Sequence, residues 1–461
     1  LSIRRQRQMC IRDSVIYSYA DRYLFQANVR HDGSSRFAKG YRWGTFPSFS
    51  AGWVASEEKF MKNLKWDWLS FLKLRGSWGM LGNERIGSNY FPYIALMSFG
   101  NSLFYMADGS VVSDKTARPA VLAVEDITWE TTTSTDLGLD VNFLNNRLQF
   151  HFDYYWKETK DMLLNIEIPY FMGYNNPSTN AGKMSTHGYD IEVAWNDQIG
   201  DFKYDINVNF SDFLSKIDYM NDGEQISGGK IKRAGVLFNE FYGYVCEGIY
   251  QTQEEVNNSA RTSTTVTVGD LKYRDISGPD GVPDGVISPE YDRVPLGNSL
   301  PRFQYGGSLN ASYKGIDFSL AFQGIGKQNS YLSTSMVQPL RDNYGNVPAI
   351  LEGKYWSPFN TTEENLAAKY PRLSNVSKSN NYATSSFWMF NGSYFRLKNI
   401  TLGYTLPKSW TQKAGINRAR FYVSGSDLFC LSNFPSGWDP EMGTSDYPIT
   451  TSLVMGIQVN F

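Results

Sequence analysis

The sequence predicts an all-β chain folded as a transmembrane antiparallel β-barrel, and three observations predict it. Apolar and polar residues alternate with a period of two along many segments. Short connections alternate with long ones. The last strand alternates through to a terminal aromatic, Phe461. The composition agrees. Among 461 residues there are 30 Tyr, 29 Phe, 12 Trp and 40 Gly, yet the mean hydropathy is −0.39. Many aromatics together with many polar residues suit strands with one apolar and one wet face. No run approaches the roughly 18 apolar residues of a membrane-spanning helix. A membrane-spanning chain of this kind therefore satisfies its backbone as a closed barrel.

The alternation can be followed in chain order. In Asp136 to Phe143, Leu137, Leu139, Val141 and Phe143 oppose Asp136, Gly138, Asp140 and Asn142. In Arg147 to Lys157, Leu148, Phe150, Phe152, Tyr154 and Trp156 share one face. Arg147, Gln149, His151, Asp153 and Lys157 share the other, with Tyr155 an aromatic among them. Tyr189, Ile191, Val193 and Trp195 repeat the pattern, as do Tyr204 to Phe210 and Phe318 to Phe322. These strands run roughly 10 to 12 residues, longer than the usual 5 to 6 and near the length of a tilted membrane strand.

Turn chemistry sets the connections. Asn145-Asn146, Asn196 to Asp201 and Lys314-Gly315 read as short turns, with residues that accept positive φ. Moderate connections occupy 57–69 and 407–418. Long ones occupy 81–133, 158–185, 327–392 and 429–451. Short turns on one side and long loops on the other are the habit of outer-membrane barrels. The segment 214–301 breaks the rule, because an extra strand pair can hide there. The count is roughly 12 strands, or 14 with that pair.

Composition excludes several functions. The net charge of −2 gives no electrostatic footprint for nucleic acid. Cys10, Cys246 and Cys430 form neither a metal spacing nor an even disulfide framework. His31, His151 and His187 stand in no H-x-x-x-H, and no nucleophile elbow, P-loop or dinucleotide-binding glycine pattern occurs. No enzyme activity is expected.

Three groups of residues are candidate sites. Asp275, Asp280 and Asp284, with the later Asp292, punctuate a Gly-rich stretch whose acidic spacing is similar to a Ca2+ loop. It departs from the D-x-[DN]-x-[DN]-G pattern, and Val286 rather than Glu stands twelfth from Asp275. A solvated turn cluster is the competing reading. Trp356, Phe359, Trp388, Phe390 and Trp438 fall in long segments, where rings either stack on sugar faces or pack the loops. Met455, Ile457, Val459 and Phe461 form the apolar side of the terminal strand, the candidate signal for barrel assembly.

Several stretches resemble the SusC/RagA family of TonB-dependent outer-membrane transporters. They include Leu74 to Tyr90 (LRGSWGMLGNERIGSNY), Ile127 to Leu164, Asn180 to Ile191 (NAGKMSTHGYDI) and Phe241 to Val256 (FYGYVCEGIYQTQEEV). Gly269 to Gly326 and Tyr394 to Pro407 (YFRLKNITLGYTLP) continue the series. The resemblance spans nearly all of 15–461. It implies the C-terminal part of a barrel of about 22 strands, incomplete here and lacking the plug. It also implies import of oligosaccharides, other glycans or peptides. Partners would be a SusD-like surface lipoprotein, TonB–ExbB–ExbD acting through a missing N-terminal region, the outer-membrane assembly machinery and the lipid bilayer. The location would be the outer membrane of a Gram-negative bacterium of the Bacteroidota. This chain would contribute barrel wall and extracellular loops. Leu1 to Ser14, LSIRRQRQMCIRDS, resembles translated sequencing adaptor and is expected to lie outside the native fold. A passive porin or structural outer-membrane barrel, and a soluble glycan-binding sandwich, are the alternatives from other classes.

Overall fold

Strands dominate the computed structural model, which describes residues 8–461 apart from 65, 86–89, 96, 120–121, 167, 222, 333–336, 339–346 and 444–445. Thirteen strands carry the main antiparallel meander, inside the expected range. In chain order they are β1 (Gln8–Tyr19), β2 (Tyr23–Ser34), β3 (Trp43–Val54), β4 (Leu69–Asn83), β5 (Glu130–Phe143), β6 (Leu148–Asn165) and β7 (Ser178–Ile199). Then come β8 (Phe202–Met220), β9 (Arg302–Tyr313), β10 (Ile316–Lys327), β11 (Tyr394–Thr405), β12 (Arg418–Ser432) and β13 (Ser452–Asn460). The chain divides into two compact units. One holds 1–195, 212–225 and 233–237; the other holds 196–211, 226–232 and 238–461.

Within the first unit, β1 to β7 pair antiparallel in chain order. The register places apolar residues opposite one another: Leu74 faces Leu139, Leu139 faces Phe152, and Phe152 faces Ile191. Leu137 is 53% exposed on that face. A row of large apolar side chains left uncovered along a sheet is the mark of a surface made for lipid. Within the second unit, the first half of β8 pairs with β9, and β9 to β13 follow in order. Leu402, Val423 and Met455 form one apolar cross-strand row there, and Tyr404, Phe421 and Ile457 the next. Met455 is 73% exposed. Met455, Ile457 and Val459, placed on the terminal strand by the sequence, therefore lie on this outward apolar face, with exposed Phe461 one residue beyond β13.

The turns obey the residues that make them. Asn145 (φ 58°) and Asn146 (φ 64°) adopt the left-handed conformation, as do Lys314 (φ 45°) and Gly315 (φ 90°). Gly, and next to it Asn, meet this demand at low cost, and the resulting turn matches strand twist. Short connections at 20–22, 144–147, 200–201 and 314–315, with moderate ones at 55–68 and 406–417, alternate with those at 35–42, 84–129, 166–177, 221–301, 328–393 and 433–451. Among the described residues, the segment 214–301 adds no further pair to the main sheet. Its short strands pair among themselves, as Glu240–Tyr244 does with Arg293–Asn298 and Cys246–Ile249 with Leu271–Tyr273. Its length falls at the same strand ends as the other long connections. Leu1 to Ser14, the segment that resembles adaptor, is described only from Gln8. Residues 1–7 lie outside the described residues, but the backbone from Gln8 continues β1, opposite Asn28 to Ser34.

Candidate functional site

The polar face of the first unit is built around Arg75. Its guanidinium lies 2.6 Å from Asp153, 3.3 Å from Asp140 and 3.6 Å from Asp136. Arg75 sits opposite Gly138, and Gly138 sits opposite Asp153. A Cβ at position 138 would stand 2.4 Å from the guanidinium carbon. The glycine is therefore what lets the side chain cross a whole strand to reach Asp153. Lys73 approaches Asp140 at 3.8 Å, and the His151 Nδ1 lies 3.0 Å from the same carboxylate. Pairing offsets part of the desolvation that partly buried charges suffer, an offset that a single charge would lack. Tyr155, the aromatic on this polar face, is explained similarly. It lies over Gly188, whose Cβ would stand 2.6 Å from the hydroxyl.

In the second unit, a returning segment is held onto the polar face of β11. Arg396 is 3% exposed and makes 2.6 Å contacts with both Asp439 and Glu441. Lys398 pairs with Asp427 at 2.7 Å, and Gln323 donates to Glu441 at 2.9 Å. Burial pushes the Asp439 carboxyl up, but hydrogen bonds from Arg396 and from the Glu441 amide outweigh it, so its pKa lies below the usual carboxylate value.

The long segments 221–301 and 328–393 share a core of their own, in which Tyr244, Leu271, Tyr273, Leu351 and Trp388 are buried. Its polar centre is Asp270, 0% exposed. The carboxylate accepts from Arg372 Nε (2.7 Å), Ser377 Oγ (2.7 Å), Asn381 Nδ2 (2.8 Å) and the Thr267 amide (2.9 Å). Asn381 in turn accepts from the Leu271 amide at 2.9 Å. Sequence reasoning missed this hub. Its side-chain partners lie more than 100 residues away along the chain, so no local spacing signals it.

The sequence-predicted residues fare differently. Trp388 is 2% exposed, with its indole N–H donated to the Asn381 carbonyl, and Trp356 is buried with its N–H on Gln251. Phe390 packs edge-on against Phe434, and Trp438 packs against the loop core. These four serve loop packing, because apolar rings at the junction of two long loops are the material from which a core is made. Phe359, at 96% exposed, alone among the five presents its ring. The acidic residues of the candidate Ca2+ loop are not gathered. Asp275 accepts from the Gly285 amide (2.7 Å), Asp284 from the Val286 amide (2.9 Å), and Asp280 is exposed. Buried Asp292 accepts the amides of Ile276, Ser277 and Ser288. Among the described residues no group of three His, Cys, Asp or Glu is arranged to hold a metal. This geometry is that of carboxylates closing turns.

The family described as TonB dependent receptor-like, beta-barrel matches residues 14–424. The chain belongs to the TonB-dependent receptor family. Its relatives place this receptor barrel among those of SusC/RagA type, in the outer membrane. TonB-dependent receptor P3 of Formosa agariphila is 30% identical over 97% of this chain and 45% of its own length. TonB-dependent receptor SusC of Bacteroides thetaiotaomicron is 30% identical over 96% of this chain and 43% of its own length. The receptor chain thus spans a little under half of the curated relatives it matches. Among solved structures, that of the RagAB peptide transporter shares the fold. Its TM-score is 0.78 at 24% identity, over 99% of this chain and 48% of that one.

Proposed function

We propose that this receptor chain forms wall and extracellular loops of an energised importer of large nutrients, glycans or peptides. The observation that carries the reading is similarity along 96% or more of the chain to receptors named for TonB dependence, SusC among them. The apolar outward rows and the polar, ion-paired face behind them support a wall between lipid and a wet passage. A SusD-like surface lipoprotein is the proposed partner on the loop side. The hairpin of Met97–Tyr105 and Val111–Pro119 favours it, because Phe99 and Tyr105 stand exposed there on a connection that reaches beyond β4. Phe359 is the ring that remains available for stacking on a sugar. Met455, Ile457, Val459 and Phe461 are proposed as the assembly signal.

The test is growth of a Bacteroidota host with the gene deleted, on a panel of oligosaccharides and peptides as sole nutrient, with and without TonB. Loss of growth on one nutrient class in both deletions is expected. Unchanged growth, together with steady ion conduction by the purified protein in planar bilayers, would instead select a passive barrel.

A further inference from the structure

The polar faces of β1 to β4 line a pocket of about 910 Å³ in the first unit. Its charged residues are Arg12, Arg30, Arg36, Arg85, Asp32 and Glu84. Arg12 belongs to the segment that resembles adaptor, so the balance rests on Arg30, Arg36 and Arg85 against Asp32 and Glu84, a formal surplus of one positive charge. Asp32 lies 2.6 Å from the Arg30 Nε. The neighbouring wall carries the opposite sign. There Asp136, Asp140 and Asp153 outnumber Lys73 and Arg75, and Asp153 stands opposite a further carboxylate, Asp190. The polar face is therefore sorted by charge rather than evenly mixed.

All three of these cations are arginines. A guanidinium presents a planar fork that matches a carboxylate or sulfate with two parallel hydrogen bonds, which an ammonium does not. The pocket floor is fixed. Phe46 is buried and meets Trp129 edge-on at 5.4 Å, and Trp129 donates its indole N–H to the Arg42 carbonyl. A rigid floor with forks around it holds a ligand group at low entropic cost.

We propose that this pocket is an oxyanion subsite, which accepts a carboxylate or sulfate group carried by the nutrient. The proposal rests on the importer reading and narrows it to acidic cargo. It is tested on the full-length receptor purified in detergent, by calorimetric titration with glucuronate, glucose 6-sulfate and glucose. Glucuronate or the sulfate ester is expected to bind at least about tenfold more tightly than glucose at low salt, with the margin shrinking as salt is raised. The tighter of the two names the anion. The Arg30→Gln/Arg85→Gln double variant is expected to lose that margin while keeping its heat-modifiable migration, the sign of a folded barrel. Equal binding of all three probes by the wild type, or an undiminished margin in a folded double variant, would overturn the subsite. TonB-dependent growth on neutral nutrients reads the importer separately. If it persists while the margin is absent, the subsite alone falls; if it is absent while the margin is present, the importer alone falls.

Discussion

Replacing Asp270 by Ala should open the loop core while leaving the barrel wall intact. The carboxylate is fully buried and receives four donors, among them Arg372, whose side chain is 24% exposed. Removing one member of a buried ion pair typically costs about 3–5 kcal/mol, because the remaining charge keeps its desolvation penalty. Arg372 retains partial contact with water, which places the expected loss near the lower bound, about 3 kcal/mol. At 1.4 kcal/mol per decade, local opening becomes on the order of a hundredfold more frequent. Hydrogen exchange of the full-length receptor reads this directly. The amides of Tyr250, Gly269, Leu271 and Arg372 are hydrogen-bonded to or beside the hub, and should exchange about a hundred times faster. Amides of β9 to β13 should be unchanged. The exposed Asp280→Ala is the control, with an expected effect within about 0.5 kcal/mol. If Asp270→Ala left the four amides within threefold of wild type, the hub would not hold the loops.

The other expectations concern a thiol, the lipid face, the terminus and the returning segment. Burial pushes the Cys246 thiol up to about 11, so alkylation by iodoacetamide at neutral pH should spare it in the folded receptor and reach it after denaturation, as peptide mapping would show. Leu137→Arg puts a charge into the outward apolar row; a loss of about 2–4 kcal/mol is expected if the site lies near the bilayer centre, seen as a reduced heat-modifiable fraction. Deleting Phe461 should lower the amount of assembled receptor in the outer membrane several-fold without changing transcript level, and unchanged assembly would remove its role as a signal. The Asp439 carboxyl has a folded pKa below its ordinary value, so its stabilisation is complete above about pH 3.9 and is lost as pH falls through the folded value. Protease cleavage within 433–443 should therefore be flat from pH 7 to 5 and rise only below about 4, monitored with an acid-tolerant protease.

What the sequence made legible was local. Asn145-Asn146 and Lys314-Gly315 announce their turns because a left-handed backbone is a property of one or two residues. Ala20 and Asp21 adopt the same conformation, at φ 51° and 53°, without a residue pair that advertises it. The alternation gave the faces of β5 and β6, and with them Asp136, Asp140, His151 and Asp153 on the polar side. It did not give Arg75 as the common partner of the three carboxylates, since that depends on register across strands. Strand length was underestimated. β6 has 18 residues and β7 has 22, against the expected 10 to 12 or so. A bilayer limits the apolar stretch, not the ladder, and hydrogen bonding continues into the loops. The loop aromatics were illegible for the same reason as Asp270. Whether Trp388 meets solvent or shares a core with Tyr244, Leu271 and Tyr273 is decided by the meeting of two long segments, not by the residues beside it.

That meeting bears on how such a receptor recognises anything. Loops of this length, if independent, would each lose conformational entropy on binding a partner or cargo. Here the described parts of 221–301 and 328–393 are tied to a core that includes Trp388 and to a polar hub centred on Asp270. Trp388 and Trp438, which look like sugar platforms in the sequence, pack in or against that core. The exposed ring of Phe359 and the arginine-lined pocket are the groups proposed for direct contact. Loop body and wall separate under mutation. Trp388→Ala should weaken partner and cargo alike by loosening the whole loop body, whereas Arg30→Gln with Arg85→Gln should weaken only anionic cargo. A common loss for both cargo types in both variants would mean that recognition is not divided between loop body and wall.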